Sequence, residues 1–283
     1  LGYEDMYHKG LYLQMVWAAN SLNNGYYGWR SGKLDTITRL NGTIENPDPW
    51  QNAATVAIQY YFSFNLPVDE YTKAIYSEGL SKTYTALFGD PWVNVIDHIP
   101  GELEQPKFVL PFAAGKTWTY TGGPHAAYGD GEPLAAIDFA PPTGVGGCVD
   151  TIEYAVAVAD GQIVRSGSAV AMLDLDQDGD ERTGWVIMYL HLATKDRVRP
   201  GVLVKAGDPL GHPSCEGGEA TGSHIHIARK YNGEWIEAEG ALAFNMEGWS
   251  AGNGLESYQG TLKKFGRTVT ACTCADPKSQ ITA

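Results

Sequence analysis

Several features that define common classes of protein are missing from this 283-residue sequence. Its four cysteines form no Cys-x-x-Cys pair, so a zinc site built from thiolates is not expected. No apolar run approaches the roughly 20 residues that a membrane-spanning helix needs. The sequence therefore predicts neither a thiolate zinc module nor a membrane-spanning protein.

Positive charge is also scarce. The chain has 20 Lys and Arg against 33 Asp and Glu, which gives a formal net charge of −13. Phosphate backbones and anionic membranes attract basic surfaces, so neither nucleic acid nor an anionic membrane is expected as a partner. The chain starts at Leu1 rather than Met, which we interpret as a processed or trimmed product. A removed secretion signal would explain this start, although the sequence itself does not show one.

The first part of the chain, residues 1–104, has apolar residues at helical spacing. We expect helices over residues 4–25, 52–64 and 68–80, the first of them stopped by Asn23-Asn24-Gly25. This predicts a small helical N-terminal domain. Its role is left open between wall binding, inhibition and structural support.

Residues 105–283 have a different pattern, with short alternating segments separated by Gly and Asp. Residues 101–118 are interpreted as a linker into this part. Alternation of apolar and polar residues in segments that are separated by turn residues is typical of antiparallel sheet. The predicted fold class is therefore α+β, and the strands are expected over 135–141, 154–167, 168–176, 183–193, 202–211, 223–231 and 233–238.

One of these segments, GSHIHIARK, places two of the seven histidines one residue apart. In a strand, Ile225 and Ile227 would face a core while His224 and His226 share the other face. Two imidazoles so placed are either partly exposed surface residues or members of a site. A metal site needs three or four ligands, so other segments must contribute.

Two other segments offer the missing ligands. His125 follows a Gly-Gly-Pro turn, and Asp138 lies in the apolar segment AAIDFA, where a carboxylate needs a cation or a hydrogen-bond network. A third candidate, His191, lies in WVIMYLHLA. Two histidines and one carboxylate would leave a fourth zinc position for water.

The segments YLHLATKDRVRPGVLVKAGDPLG and TGSHIHIA, taken with His125 and Asp138, resemble the core of the lysostaphin-type zinc metallopeptidases, the LytM or LasA group. The segment GGPH, which ends at His125, and the long spacing from His125 to Asp138 are more similar to the LasA and beta-lytic branch than to lysostaphin itself. The resemblance covers about residues 105–245 and implies a LytM-type antiparallel sheet, related to the duplicated hybrid motif.

The resemblance implies that His125, Asp138 and His226 bind one Zn²⁺. It leaves His224 and His191 free of the metal, and we expect His224 as general base. His191 would bind the tetrahedral oxyanion or assist proton transfer to the leaving amine. The reverse assignment of roles to the two histidines stays open. Tyr189 is a candidate for orienting substrate, with core packing as the alternative.

The resemblance further implies a secreted or cell-envelope endopeptidase that cleaves glycine-containing peptide bonds of peptidoglycan, in stem peptides or in crossbridges. We expect it to act as a monomer. The alternative is a non-catalytic module of the same fold that binds the wall or activates another hydrolase. No His-Glu-x-x-His segment occurs, so a helix-borne glutamate base is not expected.

An acidic segment, LDLDQDGDERTGW, has the Asp-x-Asp-x-Asp-Gly spacing of the first half of a calcium loop. Its twelfth position is Trp185 instead of Glu. A structural Ca²⁺ site and a solvated hairpin tip both remain open. The candidate ligands are Asp174, Asp176, Asp178 and Asp180.

The four cysteines are expected to form disulfides in an exported chain. Antiparallel pairing of the segments around Asp138 and His226 favours Cys148–Cys215, which leaves Cys272 to pair with Cys274. The alternative is two bridges that tie the C-terminal tail to the loops around the site.

Overall fold

The computed structural model describes residues 6–47, 51–76, 78–90, 93, 99, 101–274 and 276–283. It divides into two compact units, Leu1–Asp97 with Tyr128–Pro133, and His98–Ala127 with Leu134–Ala283. The first unit is largely helical and the second is antiparallel sheet, so the predicted α+β class is confirmed. Among the described residues, no helix is long and apolar enough to cross a bilayer.

The helical unit is built around the packing of its first two helices. Its described elements are α1 Leu11–Arg30, α2 Ala53–Ser63, α3 Val68–Ile75 and α4 Leu80–Phe88, with a short hairpin of β1 Ile37–Thr38 and β2 Ile44–Glu45. The side chain of Asn52 caps α2 by accepting from the backbone N–H of Thr55 at 2.9 Å.

The predicted end of the first helix at Asn23-Asn24-Gly25 is wrong, because α1 continues to Arg30. Gly25 is buried where α1 crosses α2. A Cβ atom at Gly25 would lie 2.8 Å from the Cα of Ala57 and 2.9 Å from the Cβ of Tyr60. This glycine therefore allows close approach of two helices instead of ending one.

For the effect of Gly25→Ala on stability, the close packing at this position predicts the opposite of what helix propensity predicts. At an open helix position, Gly→Ala stabilises by about 1 kcal/mol. We expect Gly25→Ala to destabilise by about 1–3 kcal/mol, because the added methyl overlaps α2. Thermal unfolding followed by far-UV circular dichroism measures the change.

Gly28→Ala is the matched control in the same helix, since its Cβ would lie 3.1 Å from the Cβ of Leu34 and meets no backbone of α2. A smaller loss of stability is expected there. Equal losses for the two variants, or a gain for Gly25→Ala, would show that close packing does not explain Gly25.

The β unit contains one nine-stranded antiparallel sheet with strand order β17-β3-β4-β11-β8-β7-β6-β9, and β12 pairs with β11. A four-stranded sheet, β13-β14-β15-β16, and the pair β5-β10 complete its described strands. Their bounds are β3 Thr117–Ala126, β4 Leu134–Ala140, β5 Ala155–Val156, β6 Gly161–Gly167, β7 Val170–Asp174, β8 Trp185–Leu190, β9 Leu203–Val204, β10 Pro209–Gly211, β11 Ile225–Tyr231, β12 Glu234–Trp235, β13 Asn245–Met246, β14 Trp249–Asn253, β15 Gly260–Lys264, β16 Arg267–Thr270 and β17 Gln280–Thr282.

The segment interpreted as a linker belongs to the core of the β unit, so that interpretation is wrong. Phe108, Leu110 and Phe112 are buried, and the ring of Phe112 stacks on Trp118 with centroids 4.9 Å apart. On β11, Ile225 and Ile227 are fully buried in the same core, as the alternation predicts. The separate role of the helical part stays a prediction.

Candidate metal centre

Strand pairing brings the predicted ligands together in the middle of the large sheet. Asp138 on β4 lies directly opposite His226 on β11 in an antiparallel register. His125 is on β3, the other neighbour of β4, where the register shifts between Gly122 and His125. This irregularity allows three strands to direct one side chain each to a common point.

The three side chains converge closely. The Nε2 atom of His125 and the Nδ1 atom of His226 each lie 3.3 Å from Oδ1 of Asp138, and 2.9 Å from one another. All three residues are buried. These potential ligand atoms satisfy the geometry of a metal-binding group.

In His125 and His226, the ring nitrogen that points away from Asp138 donates its hydrogen to a backbone carbonyl, which can only accept. His125 Nδ1 donates to Gly123 O at 2.8 Å, and His226 Nε2 donates to Ala127 O at 2.9 Å. The inner nitrogens of the neutral rings therefore carry lone pairs, and the facing Oδ1 of Asp138 has no hydrogen-bond partner. Three lone-pair atoms around one point fit a bound cation.

The electrostatics of the cluster also favour an ionised carboxylate. Burial alone would raise the pKa of Asp138, but the neighbouring imidazoles outweigh it and hold the pKa far below its usual range. Burial is the largest single effect on His125 and lowers its pKa, but the attraction to Asp138 and the hydrogen bonds to Asp138 and to Gly123 O together outweigh it, so the net shift is upward. Burial lowers the pKa of His226. The upward shift favours a proton on His125 in the metal-free cluster, and a divalent cation bound beside the Asp138 carboxylate would take the place of that proton.

Two further histidines flank the cluster. His224 lies with its Nε2 atom 3.8 Å from Oδ2 of Asp138, and its ring centroid lies 4.4 Å from that of His191. Each donates Nδ1–H to a carbonyl at 2.8 Å, His224 to Gly222 and His191 to Glu216. Burial, reinforced by His224, lowers the pKa of His191 to about 4. Both rings therefore present proton acceptors at Nε2.

All five predicted residues line one cleft of about 1140 Å³ in the β unit. Two glycine-rich loops, 141–147 and 218–223, form much of its wall. The disulfide Cys148–Cys215 joins the chain next to these loops, as predicted, and Cys272 pairs with Cys274. The alternative pairing of the C-terminal tail is wrong.

Tyr189 does not reach this cleft, so the substrate-orienting role considered for it is wrong. Its ring is fully buried in the core, and its hydroxyl accepts from the backbone N–H of Val158 at 2.8 Å. The alternation that would place it beside His191 fails because β8 ends at Leu190 and His191 has a left-handed backbone with φ of 68°.

Sequence reasoning missed Tyr258, which lies in the cleft on the loop between β14 and β15. Its ring stacks on that of His125 with centroids 4.0 Å apart and an interplanar angle of 21°. Its carbonyl accepts from Gly123 N at 2.7 Å, and its N–H donates to Pro124 O at 3.2 Å. No local pattern marks this residue, because it acts across 133 positions of sequence.

The remaining predicted groups lie outside the cleft. Asp174, Asp176 and Asp178 form a second cluster, whereas the carboxylate of Asp180 pairs with Arg182 at 2.6 Å instead of joining them. His212 donates Nδ1–H to Glu153 O at 2.8 Å. His8 belongs to the helical unit. His98 lies outside the described residues.

Comparison with known proteins matches both parts of the chain. Residues 1–102 match the family model described as the LasA N-terminal domain. Protease LasA of Pseudomonas aeruginosa is 24% identical over 82% of this chain, and beta-lytic metalloendopeptidase of Achromobacter lyticus is 28% identical over 46% of it. The chain is homologous to these two enzymes.

The match spans 57% of the length of LasA and 35% of that of beta-lytic metalloendopeptidase. Among solved structures, the M23 metalloprotease pseudoalterin aligns over 59% of this chain and 96% of its own, with 23% identity and a TM-score of 0.49. In this chain, the group formed by His125, Asp138 and His226 can hold a metal ion.

Gly122, the first glycine of the GGPH segment, gives the first test of the metal centre. A Cβ atom on Gly122 would overlap the Oδ2 atom of Asp138. We expect Gly122→Ala to displace the carboxylate and to weaken metal binding by roughly 10–100-fold, the range found when a ligand loses its support. Metal content after dialysis against graded free zinc measures the affinity.

Gly167→Ala is the control, because it changes a strand glycine of the same sheet whose Cβ would meet nothing within 4 Å. It should bind metal like the unchanged protein. If Gly122→Ala also binds normally, the carboxylate of Asp138 does not contribute to the metal site in the position described.

The disulfide beside the cleft gives a second test. Cys148–Cys215 closes a separation of 67 residues, and Cys272–Cys274 a separation of 2. Replacing Cys148 and Cys215 together by Ala should lower the free energy of unfolding by about 2–4 kcal/mol, because the unfolded chain regains the entropy of a long loop. The same double change at Cys272 and Cys274 should cost less, and equal urea midpoints for the two double variants would contradict this.

Proposed function

We propose that the chain is a secreted zinc metalloendopeptidase that hydrolyses peptide bonds of bacterial peptidoglycan. The observation that carries the proposal is the set of inward lone pairs on His125, Asp138 and His226, with two proton-accepting imidazoles beside it in an open cleft. The two homologous enzymes, a protease and a metalloendopeptidase, support the reaction class.

Zinc is the metal proposed for this donor set. Two imidazoles and one carboxylate, with room for a fourth ligand, are typical of catalytic zinc sites. When bound, zinc supplies a Lewis acid that lowers the pKa of water from 15.7 to about 7. Tyr258 and the carbonyls of Gly123 and Ala127 hold the two imidazoles in the orientation that this requires.

His224 is proposed as the general base. It is two residues from His226 on the same face of the chain, and its Nε2 atom is turned towards Asp138. The hydrogen bond from Nδ1 to Gly222 fixes the tautomer with a free lone pair at Nε2. That atom accepts the proton of the attacking water.

His191 is proposed to move a proton to the leaving amine. The hydrogen of the His191 ring is on Nδ1, which donates to Glu216 O, and the lowered pKa of His191 keeps the ring neutral. The ring therefore has no hydrogen at Nε2 with which to stabilise an oxyanion. This favours proton transfer over the oxyanion role considered for His191. The ring lies beside His224, so the proton that His224 takes from the attacking water passes to Nε2 of His191 and from there to the nitrogen of the cleaved bond, which leaves as an amine.

The substrate is proposed to be a peptide with a glycine-containing bond. The loops at the cleft carry Gly144, Gly146, Gly147, Gly218 and Gly222, so much of the wall is backbone. A backbone wall allows an extended peptide with small side chains to approach closely, and it offers main-chain donors and acceptors. We propose that the protein acts as a monomer on such peptides.

The variants His224→Ala and His191→Ala test the mechanism. Each should retain one equivalent of zinc but lose about 10²–10⁴-fold in the rate of peptide hydrolysis, the usual contribution of general acid–base groups. The measurement combines metal analysis with the appearance of new amino termini in a suspension of glycine-bridged cell walls, with and without chelator.

His212→Ala is the matched control, because His212 also donates Nδ1–H to a carbonyl but lies outside the described cleft around Asp138. It should keep both zinc and activity. Asp138→Ala should lose both. Unchanged hydrolysis in the His224 and His191 variants would refute the mechanism, and wall binding without new amino termini would favour the non-catalytic module.

A further inference from the structure

A second cluster of carboxylates lies away from the cleft, at the tip between β7 and β8. Asp174 ends β7, and Asp176 and Asp178 follow in the connecting loop. One oxygen of each carboxylate lies within 4.8 Å of the other two. The proposed peptidase reaction does not use these residues.

Asp174 is the informative member of this cluster. It is 0% exposed, and its Oδ1 atom is buried without a hydrogen-bond partner, while Oδ2 accepts from the backbone N–H of Gly179 at 3.0 Å. Burial, together with the nearby carboxylates of Asp176 and Asp178, raises the pKa of Asp174 to about 6. A buried carboxylate oxygen with no donor carries a large desolvation cost unless a cation reaches it.

The neighbouring cationic side chains form salt bridges with carboxylates outside this cluster. Arg182 pairs with Asp180 at 2.6 Å, and Glu181 pairs with Arg165 at 2.9 Å and with Lys230 at 3.4 Å. In the part of the chain that the structure describes, no salt bridge reaches Asp174, Asp176 or Asp178. The charge of these three carboxylates therefore has no counterpart from a protein side chain.

We propose that Asp174, Asp176 and Asp178 bind a calcium ion that stabilises the β7–β8 hairpin. Hard oxygen donors at alternate positions, followed by Gly179 at the sixth, suit Ca²⁺, whereas zinc prefers nitrogen and sulfur donors. The twelfth position is Trp185, so the bidentate acid of a full calcium loop is missing. The affinity expected is that of extracellular modules, about 10⁻⁴–10⁻³ M.

The site is structural, and it supports the strand that precedes a cleft residue. Asp174 pairs with Val186 across β7 and β8, and β8 runs from the loop to Leu190, next to His191. A cation at the loop removes the repulsion among three carboxylates that the hairpin otherwise retains. Its binding therefore stabilises the folded β unit without contributing to the proposed zinc chemistry.

The experiment uses the full zinc-loaded chain, freed of calcium by dialysis and titrated with calcium chloride. The thermal midpoint should rise by about 5–10 °C at a hundredfold excess over the dissociation constant. Terbium replacing calcium should show luminescence excited through Trp185, which directly follows the loop. Asp176→Asn and Asp178→Asn should lose both signals, and both positions are exposed, so the core is unchanged.

Asp180→Asn is the matched control, since it removes a carboxylate of the same loop that is paired with Arg182. It should keep the calcium response. Without calcium, Asp176→Asn and Asp178→Asn should unfold at the same or a higher temperature than the unchanged chain, because one repelling charge is gone. The proposal is overturned if about 0.1 M calcium, a hundredfold excess over the weakest affinity expected, leaves the midpoint unchanged, if both Asn variants still respond, or if Asp180→Asn loses the response equally.

Discussion

The cleft depends on one buried carboxylate, Asp138, held between imidazoles on the two strands that flank its own. A charge in that position is tolerable only because neighbouring groups of complementary character surround it. The sheet register supplies those groups, since His226 is the direct partner of Asp138. A slip of one residue would turn every side chain of β11 to the opposite face and leave the carboxylate without its partner.

Local periodicity was sufficient to predict part of this arrangement. The alternation in SHIHIA correctly placed Ile225 and Ile227 in the core, with the two histidines on the other face. Periodicity failed where the backbone left regular geometry. The left-handed conformation at His191 separates its side chain from that of Tyr189. The predicted helix end at Gly25 failed for a different reason, because this glycine stays within regular helix and allows the close approach of α2.

Other features could not be predicted because they depend on contacts between distant segments. The stacking of Tyr258 on His125 requires the loop between β14 and β15 to meet the GGPH segment, which only the folded topology determines. Residue chemistry suggested His125 and Asp138 as ligands, and the family resemblance assigned them to one ion, but no local pattern shows that β3 and β4 are neighbours. The acidic motif predicted a cluster, but only side-chain geometry separates Asp180 from its three neighbours.

The outer hydrogen-bond partners of the four cleft imidazoles are all main-chain carbonyls, from Gly123, Ala127, Glu216 and Gly222. A main-chain oxygen is present whatever amino acid occupies the position. Sequence divergence at these positions can therefore proceed without erasing the protonation pattern of the rings, provided that the chain keeps its path. Insertions and deletions in these loops, more than substitutions, are the changes to which such an arrangement is vulnerable.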